Sequence, residues 1–257
     1  MPFYRVFPAK TNLYHFPSER GFYMPAPSPS EIKNLPEPDI DLDALREELI
    51  KITREKHRYW FWKRTFDIIF SAVFLLVFSP LYLLLALIIF LDDPHGSPFY
   101  TQIRIGRKGQ PFKFYKFRSM VVNADELKAS LMDQNDKEGP VFKIKDDPRV
   151  TRVGRFIRRT SLDELPQFWN VLKGDMTLVG PRPALPEEVV QYNRYHKLRQ
   201  LITPGLTCYW QIQPNRDDIP FDEWIAMDIQ YIRDKSFLLD LELILLTVKA
   251  MFNSQGH

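Results

Sequence analysis

A run of 24 residues without a charged side chain, Ile68 to Leu91, constrains the fold of this chain more than any other part of its sequence. At about 1.5 Å of rise per residue, a helix of this length can cross a hydrocarbon core of about 30 Å. Pro80 lies in the middle of the run and removes a backbone hydrogen bond, and the Ser79 hydroxyl can bind a carbonyl that is left free. The run therefore predicts a membrane helix that is kinked at Ser79 and Pro80.

The flanks of this run leave two topologies open. Basic residues stand on both sides of it, which favours cytosolic placement of both ends. They are Arg58, Lys63 and Arg64 before the run and Arg104, Arg107 and Lys108 after it. A re-entrant helix, which enters and leaves through one face of the bilayer, competes with a kinked transmembrane helix. In either case we assign residues 63–91 to the membrane, and more than sixty polar and proline-rich residues precede the run, too many for a signal peptide.

The N-terminal region divides into two parts. Residues 1–38 are rich in proline and show no periodicity, which predicts an extended arm that contacts a second copy or another partner. Residues 39–62 predict an amphipathic helix that starts at Asp39, with leucines at helical spacing. This helix packs either on its own domain or on a membrane surface. The aromatic cluster Tyr59 to Trp62 favours the membrane interface at its C-terminal end.

Residues 92–257 have the character of a small cytosolic α/β domain, since short β-rich runs alternate with helical stretches. The segment Phe237 to Phe252 carries Asp240, Glu242 and Lys249 among apolar residues, so it is either an interfacial amphipathic helix or part of the core. Cys208 is the only cysteine, which fits a reducing compartment. The predicted fold class is α+β and membrane-associated, with a re-entrant or kinked helix followed by the catalytic domain.

Two cationic stretches predict an anionic ligand. Residues 101–160 hold 15 Lys or Arg against 7 Asp or Glu. The first stretch is Arg104, Arg107, Lys108, Lys113, Lys116 and Arg118, and the second is Arg149, Arg152, Arg155, Arg158 and Arg159. Guanidinium and ammonium groups bind phosphoryl oxygens, although any one of these residues can equally face solvent or lipid headgroups. Nucleic acid is not the predicted ligand, because the nearby aromatic residues alternate as strand core rather than as stacking platforms.

Asp163 and Glu164 follow the second stretch directly and are the candidate catalytic pair. Adjacent side chains point in different directions, so one carboxylate can attack phosphorus while the other holds a metal ion. Mg²⁺ fits this pattern, since it binds through one or two carboxylates together with substrate phosphates. Such pairs are also common at helix N-termini. Further along, Pro181 and Pro183 bracket Arg182, an arrangement that suits a rigidly presented phosphate ligand, although taken alone the segment is more typical of an ordinary proline turn with an exposed arginine.

The ordered set of motifs resembles the monotopic phosphoglycosyl transferases, also called the bacterial sugar transferase family, over residues 58–252. The matching segments are KRTFD (Lys63 to Asp67), the Ser79–Pro80 pair, KFRSM (Lys116 to Met120), TSLDELPQFWNVLKGDM (Thr160 to Met176), VGPRP (Val179 to Pro183), TPGLT (Thr203 to Thr207) and DIQY (Asp228 to Tyr231). The resemblance implies a re-entrant helix and a place in the bacterial inner membrane, with the catalytic domain on the cytosolic face.

The resemblance also implies a reaction. Asp163 attacks the sugar-linked phosphate of a UDP-sugar, UMP leaves, and the phosphosugar passes to undecaprenyl phosphate, with Glu164 as the ligand of Mg²⁺. Polysaccharide or glycoconjugate synthesis begins with such a step. The implied phosphate ligands are Lys116, Arg118, Arg158, Arg159, Arg182 and Arg216.

Two segments bear on the substrate. Family members usually have a glycine–arginine turn after Trp210 and Gln211, whereas this chain has IQPNR, which puts the role of Arg216 in doubt. Residues 138–154 are similar to the longer form found in hexose-phosphate transferases, which favours UDP-glucose or UDP-galactose. Two other functions compete with the family's: a non-catalytic scaffold that binds anionic lipids or polyanions, and a membrane-anchored nucleotidyltransferase or hydrolase that needs no polyprenyl acceptor.

Overall fold

The computed structural model describes residues 41–134, 140–142, 144, 146–213 and 218–253. The predicted arm 1–38 lies outside this part of the chain, as does Arg216. The α-helices are α1 (Leu42–Glu55), α2 (His57–Val77), α3 (Ser79–Asp92), α4 (Ala124–Lys128), α5 (Arg152–Arg159), α6 (Gln167–Lys173), α7 (Pro186–Val190), α8 (Phe221–Asp234) and α9 (Phe237–Asn253). Short 3₁₀ helices span Arg107–Gly109, Ala129–Gln134, Leu162–Glu164, His196–Leu201 and Trp210–Ile212. The strands are β1 (Phe99–Ile105), β2 (Pro111–Phe117), β3 (Thr177–Val179) and β4 (Gly205–Thr207). Helices and small sheets thus alternate, which confirms the predicted mixture of α and β structure.

Helix α1 is shorter than the predicted helix 39–62. Asp41 caps its first turn by accepting the backbone amide of Ala44 at 2.9 Å, and Leu45 and Leu49 are buried in the main core. The helix ends because Lys56 leaves helical geometry, at φ −89° and ψ 42°, while its ammonium donates to the Lys235 carbonyl at 2.5 Å. Of the two alternatives for this helix, the structure shows packing on its own domain. The aromatic cluster belongs to the next helix, α2.

Helices α2 and α3 meet at a bend of 61°. Pro80 stands in the first turn of α3, where its missing N–H costs no intrahelical bond, and the Ser79 hydroxyl donates to the Leu76 carbonyl at 2.8 Å. The predicted kink is therefore present. In the described part of the chain, no helix alone has the length and apolar character needed to cross a membrane, whereas the bent pair meets that requirement by length and composition.

Three polar side chains of α2 bind the catalytic domain. Lys63 forms a buried ion pair with Asp240 of α9 at 2.8 Å, and Arg64 donates to two carbonyls at the C-terminal end of α6, at 2.6 and 2.8 Å. Asp67 accepts the Thr177 hydroxyl at 2.6 Å at the start of β3. The sequence placed Lys63 and Arg64 on the basic flank of the membrane run. Instead they bind the domain, because Asp240 and the end of α6 supply acceptors that solvent does not reach.

The two small sheets differ in strand direction and in the segments that they position. Strands β1 and β2 form an antiparallel hairpin in which Phe99 pairs with Phe117 and Ile105 with Pro111. Strands β3 and β4 pair in parallel, and Gly180, which directly follows β3, approaches Gly205 of β4 so closely that a Cβ on Gly205 would lie 2.0 Å from the Gly180 nitrogen. Only glycine fits at this crossing, which explains the glycines of VGPRP and TPGLT. The crossing fixes the segment that carries Arg182.

Of the two alternatives for residues 237–252, helix α9 shows the buried face that packing in the core requires. Leu243 and Asp240 are buried in the core, at 1% and 3% exposure, whereas Leu238 and Leu245 are exposed at 78% and 71%. One face of the helix thus belongs to the domain, and the opposite face offers apolar side chains to the surroundings.

Candidate active site

The candidate catalytic pair lies in the 3₁₀ turn that follows α5. Ser161 adopts a left-handed backbone conformation, φ 55°, and this reverses the chain immediately before Leu162–Glu164. The Asp163 side chain is 9% exposed and the Glu164 side chain 35%. The Asp163 carboxylate is thus nearly buried, whereas that of Glu164 is partly open to solvent.

Lys116 of β2 joins the two carboxylates. Its Nζ lies 2.9 Å from Glu164 Oε1 and 3.4 Å from Asp163 Oδ2. Burial raises the pKa of Asp163, Lys116 lowers it, and the nearby Glu164 raises it again, so that the net direction is upward. Burial lowers the pKa of Lys116, but the two carboxylates together raise it above its ordinary value. The cluster thus pairs a buried carboxylate with a firmly protonated ammonium group.

Two arginines and a glutamate extend this cluster. Arg182 Nη1 lies 3.7 Å from Glu188 Oε1, and Glu188 is buried in the first turn of α7, where its other oxygen accepts the Leu185 amide at 2.9 Å. Arg104 of β1 donates to the Pro183 carbonyl at 3.1 Å. Burial and repulsion from Arg182 lower the pKa of Arg104 to about 10, and the charge of Glu164 opposes this effect. Arg104 thus contacts the backbone of the segment that carries Arg182 and interacts electrostatically with both Arg182 and Glu164.

The sequence did not assign Arg104 or Glu188 to the site. Arg104 stands in the first cationic stretch, but nothing in the pattern distinguishes it from its neighbours there. Glu188 occupies the third position of a helix that begins with proline, a spacing that indicates a helix start rather than a ligand-binding residue.

A buried ion pair lies deeper in the same half of the domain. Arg199 Nη2 and Asp228 Oδ2 are 2.6 Å apart, at 4% and 1% side-chain exposure. Burial raises the pKa of Asp228 to about 6, against the opposing effects of Arg199 and Arg182. The hydroxyl oxygen of Tyr231, which ends the DIQY motif, lies 3.0 Å from the Val179 carbonyl oxygen. This motif therefore packs against the end of β3, from which the chain continues to Arg182.

The remaining predicted phosphate ligands lie at different distances from this cluster. Arg158 and Arg159 are exposed at the end of α5, and the charge of Arg158 lowers the pKa of Asp163. Arg118 is buried and binds Asp93 after α3, with Nη1 at 3.2 Å from the carboxylate. The structure thus joins Lys116 to both carboxylates and pairs Arg182 with Glu188. Arg158 is exposed but acts on Asp163 through its charge, and Arg118 binds Asp93 after α3.

The turn that carries Asp163 and Glu164 also lies next to helices α2 and α3 near their bend. The Tyr82 hydroxyl of α3 donates to the Leu165 carbonyl, one residue after Glu164. Phe168 of α6 stacks on Phe74 of α2, with ring centroids 3.9 Å apart and planes at 18°. The bent helix pair is therefore a structural neighbour of the candidate nucleophile.

The carboxylate donors present suit an ion that also takes ligands from a substrate. Within the described ranges, no group of three or more His, Cys, Asp or Glu side chains forms a metal cluster. The pair Asp163 and Glu164 offers the one or two carboxylates that Mg²⁺ uses when phosphates complete its coordination. The donor set thus fits magnesium held jointly with a diphosphate, and does not form a complete protein cage.

Comparison with known proteins settles the family. The sequence model of the bacterial sugar transferases matches residues 58–254. The chain belongs to this family. It is 48% identical over 161 residues to a galactosyl transferase, CpsE, of Streptococcus agalactiae, covering 63% of this chain and 36% of that protein. It is 41% identical over 201 residues to an undecaprenyl-phosphate galactose phosphotransferase of Salmonella typhimurium, covering 76% and 41% respectively. An exopolysaccharide production protein, ExoY, of Rhizobium meliloti is 39% identical over 198 residues, covering 76% of this chain and 87% of that protein. The match thus spans less than half the length of the first two relatives.

Proposed function

We propose that the protein transfers a hexose 1-phosphate from a UDP-sugar to undecaprenyl phosphate, releasing UMP, as the first membrane step of polysaccharide or glycoconjugate synthesis. The observation that carries this proposal is the buried Asp163 carboxylate, bonded to Lys116 and flanked by Glu164 beside the arginine pair Arg104 and Arg182. The similarity to the Salmonella galactose phosphotransferase supports undecaprenyl phosphate as the acceptor and, together with the similarity to CpsE, favours UDP-galactose as the donor, with UDP-glucose as the alternative.

The first half of the reaction uses Asp163 as a nucleophile. Its carboxylate oxygen bonds to the phosphorus that carries the sugar, and the bond from that phosphorus to the bridging oxygen of UMP breaks. In the second half, a phosphate oxygen of undecaprenyl phosphate attacks the same phosphorus, and Asp163 leaves as a carboxylate. A covalent intermediate lets a soluble donor and a lipid acceptor use one small site in succession.

The cationic groups support the charge that accumulates at phosphorus. Lys116 stabilises the ionised form of Asp163 against the effect of burial and lies where it can neutralise a transferring phosphoryl group. Arg182, held by Glu188, and the neighbouring Arg104 bind the phosphoryl oxygens of donor and acceptor. Glu164 is the proposed ligand of Mg²⁺, which when bound neutralises diphosphate charge.

The exposed apolar surface supports a place in the bacterial inner membrane. Side chains of α2 and α3 that are more than half exposed include Ile69, Val73, Leu76, Leu83 and Leu91. A bent pair with both ends at the domain suits re-entrant insertion, with the catalytic domain on the cytosolic face. Exposed apolar side chains of α9 extend the same surface.

The test uses the full chain in nanodiscs with Mg²⁺, undecaprenyl phosphate and a panel of UDP-sugars, scored for UMP and for lipid-linked sugar. Asp163→Asn is expected to abolish both products, whereas Asp234→Asn, an exposed aspartate at the end of α8, serves as the matched control and is expected to retain activity. Without acceptor, mass spectrometry of the wild type is expected to find a phosphohexose on the peptide containing Asp163. Full activity of Asp163→Asn, or no product with any donor, contradicts the proposal and leaves the scaffold interpretation.

A further inference from the structure

A cavity of about 510 Å³ lies where the first turns of α2 meet the segment that joins α8 to α9. It is lined by three cationic residues, three aromatic residues and a serine. The lining residues are Lys56, Arg58, Tyr59, Trp62, Lys235, Ser236 and Phe237. The catalytic cluster around Asp163 shares no residue with this lining, so the cavity is a separate feature of the molecule.

In the described chain, no carboxylate pairs with the three cationic side chains that line this cavity. No carboxylate oxygen there lies within 4.0 Å of the cationic nitrogens of Lys56, Arg58 or Lys235. The two ammonium groups donate to backbone carbonyls and to a threonine hydroxyl, which are neutral acceptors. Asp240 acts on Lys235 from a distance, but its carboxylate is engaged by Lys63. A bound anion would supply the missing charge.

Repulsion between these cations affects the pKa of Lys235. Burial, followed by repulsion from Lys56, lowers the pKa of Lys235 to about 8. Ser236 directly precedes α9, and its hydroxyl accepts the Leu239 amide at 3.3 Å, so the positive end of this 17-residue helix also faces this region. An anion in the cavity would relieve the repulsion and meet the helix end.

The cavity stands at one end of the apolar surface of α2. Trp62 is 57% exposed, and the residues seven, eleven and fourteen positions later, Ile69, Val73 and Leu76, are exposed at 59%, 55% and 75%. These spacings place all four side chains on one face of the helix. Trp rings and cations of this kind settle at the level of lipid headgroups. The ligand of this cavity therefore has an anionic group at one end and an apolar body beside it.

We propose that this cavity binds the phosphate of an anionic membrane phospholipid, whose acyl chains lie along the apolar face of α2. The inference rests on the membrane insertion proposed above. A free phosphate ion would satisfy the cations but would leave the tryptophan and the apolar stripe without a partner, so the lipid is the occupant that accounts for both. Arg58 is the most direct headgroup ligand, because it is exposed and the described chain pairs it with no carboxylate.

The test is native mass spectrometry of the full chain released from nanodiscs that contain equal amounts of phosphatidylglycerol and phosphatidylcholine and no polyprenyl phosphate. The wild type is expected to retain phosphatidylglycerol selectively. Arg58→Gln is expected to lower this retention about tenfold, equivalent to about 1.4 kcal/mol. The matched control is Arg54→Gln, an equal change of charge at an exposed position of α1 outside the cavity, and it is expected to retain the lipid.

Equal retention of both lipids, or unchanged retention in Arg58→Gln, overturns the proposal. Displacement of the lipid by inorganic phosphate also overturns it, because that result identifies a phosphate site instead. Asp163→Asn separates the two proposals, since it is expected to lose UMP release while retaining phosphatidylglycerol. If the wild type retains the lipid but forms no UMP with any donor, the catalytic proposal fails and the lipid site stands.

Discussion

The ion pair between Lys63 and Asp240 offers a stringent test of how α2 is held to the catalytic domain. Its Nζ and Oδ2 atoms are 2.8 Å apart, and both side chains are 5% exposed. Asp240 also accepts hydroxyls from Tyr59 at 2.9 Å and Tyr231 at 2.6 Å. Lys63→Met keeps the apolar stem of the side chain but leaves a buried carboxylate without its cation. Breaking one partner of such a pair costs about 3–5 kcal/mol of unfolding free energy.

This loss converts into a measurable melting shift. For a chain of this size, 1 kcal/mol changes the melting temperature by about 2–4 °C, so Lys63→Met is expected to lower Tm by about 6–20 °C. The double variant Lys63→Met/Asp240→Asn is expected to recover at least half of the loss. It removes the unpaired charge, and the asparagine oxygen still accepts a tyrosine hydroxyl.

The assay is thermal unfolding in nanodiscs, followed by tryptophan fluorescence. Lys173→Met is the matched control, since Lys173 also lies 2.8 Å from its partner, Asp175, but at 42% and 24% exposure. Removal of this exposed pair is expected to cost less than about 1 kcal/mol. Equal shifts for Lys63→Met and Lys173→Met would refute the reasoning from burial. A double variant as unstable as the sum of the two single variants would refute the pairing.

Three further predictions concern the site and its supports. Lys116→Met is expected to move the acid limb of the pH–rate profile to higher pH, because it removes the charge that favours ionised Asp163. Lys113→Met, a change at an exposed position of the same strand, is the control. An acid limb that does not move would contradict the role of Lys116 beside Asp163. The pKa of Lys235 falls from 10.5 to about 8 on folding, so the unfolded chain binds more protons in that window and stability rises with pH across it. Lys235→Met is expected to flatten this rise in melting experiments in zwitterionic nanodiscs, and an unchanged slope would exclude Lys235 as its source. Gly154→Ala is expected to cost about 3 kcal/mol in denaturant unfolding, because the new Cβ would lie 1.9 Å from the Ser119 carbonyl oxygen; a wild-type midpoint would show that α5 can shift freely.

The sequence predicted features that depend on local pattern. The uncharged run, Ser79 and Pro80 predicted a bent helix pair, and the ordered motifs predicted the family that the comparisons confirm. The sequence also singled out Lys116, Asp163 and Glu164, which lie together in the structure, but its pattern did not show that Lys116 contacts both carboxylates. The bend and the family were predictable because helix periodicity, proline geometry and short motifs are set within a few residues.

The sequence could not show which charged residues meet across the fold. Lys63 and Arg64 have the composition of a membrane flank, yet their partners lie more than a hundred positions away in the chain. Arg118 stands two positions after Lys116, just beyond the end of β2, but it binds Asp93 after α3. Glu188 resembles an ordinary helix start until folding brings it to Arg182. Long-range pairing of this kind depends on tertiary packing, which a single sequence does not display.

The contacts between the bent helix pair and the turn that carries Asp163 affect how the proposed soluble donor and lipid acceptor would reach the same site. Phe168 stacks on Phe74, and the Tyr82 hydroxyl binds the carbonyl of the residue after Glu164, so the turn that carries Asp163 is attached to the bent helix pair. Under the proposed insertion, the depth of this pair in the bilayer would set the height of Asp163 above the lipid. Under the proposed reaction, the phosphate of the lipid carrier would have to reach that height, so bilayer thickness and headgroup packing would influence the second half-reaction.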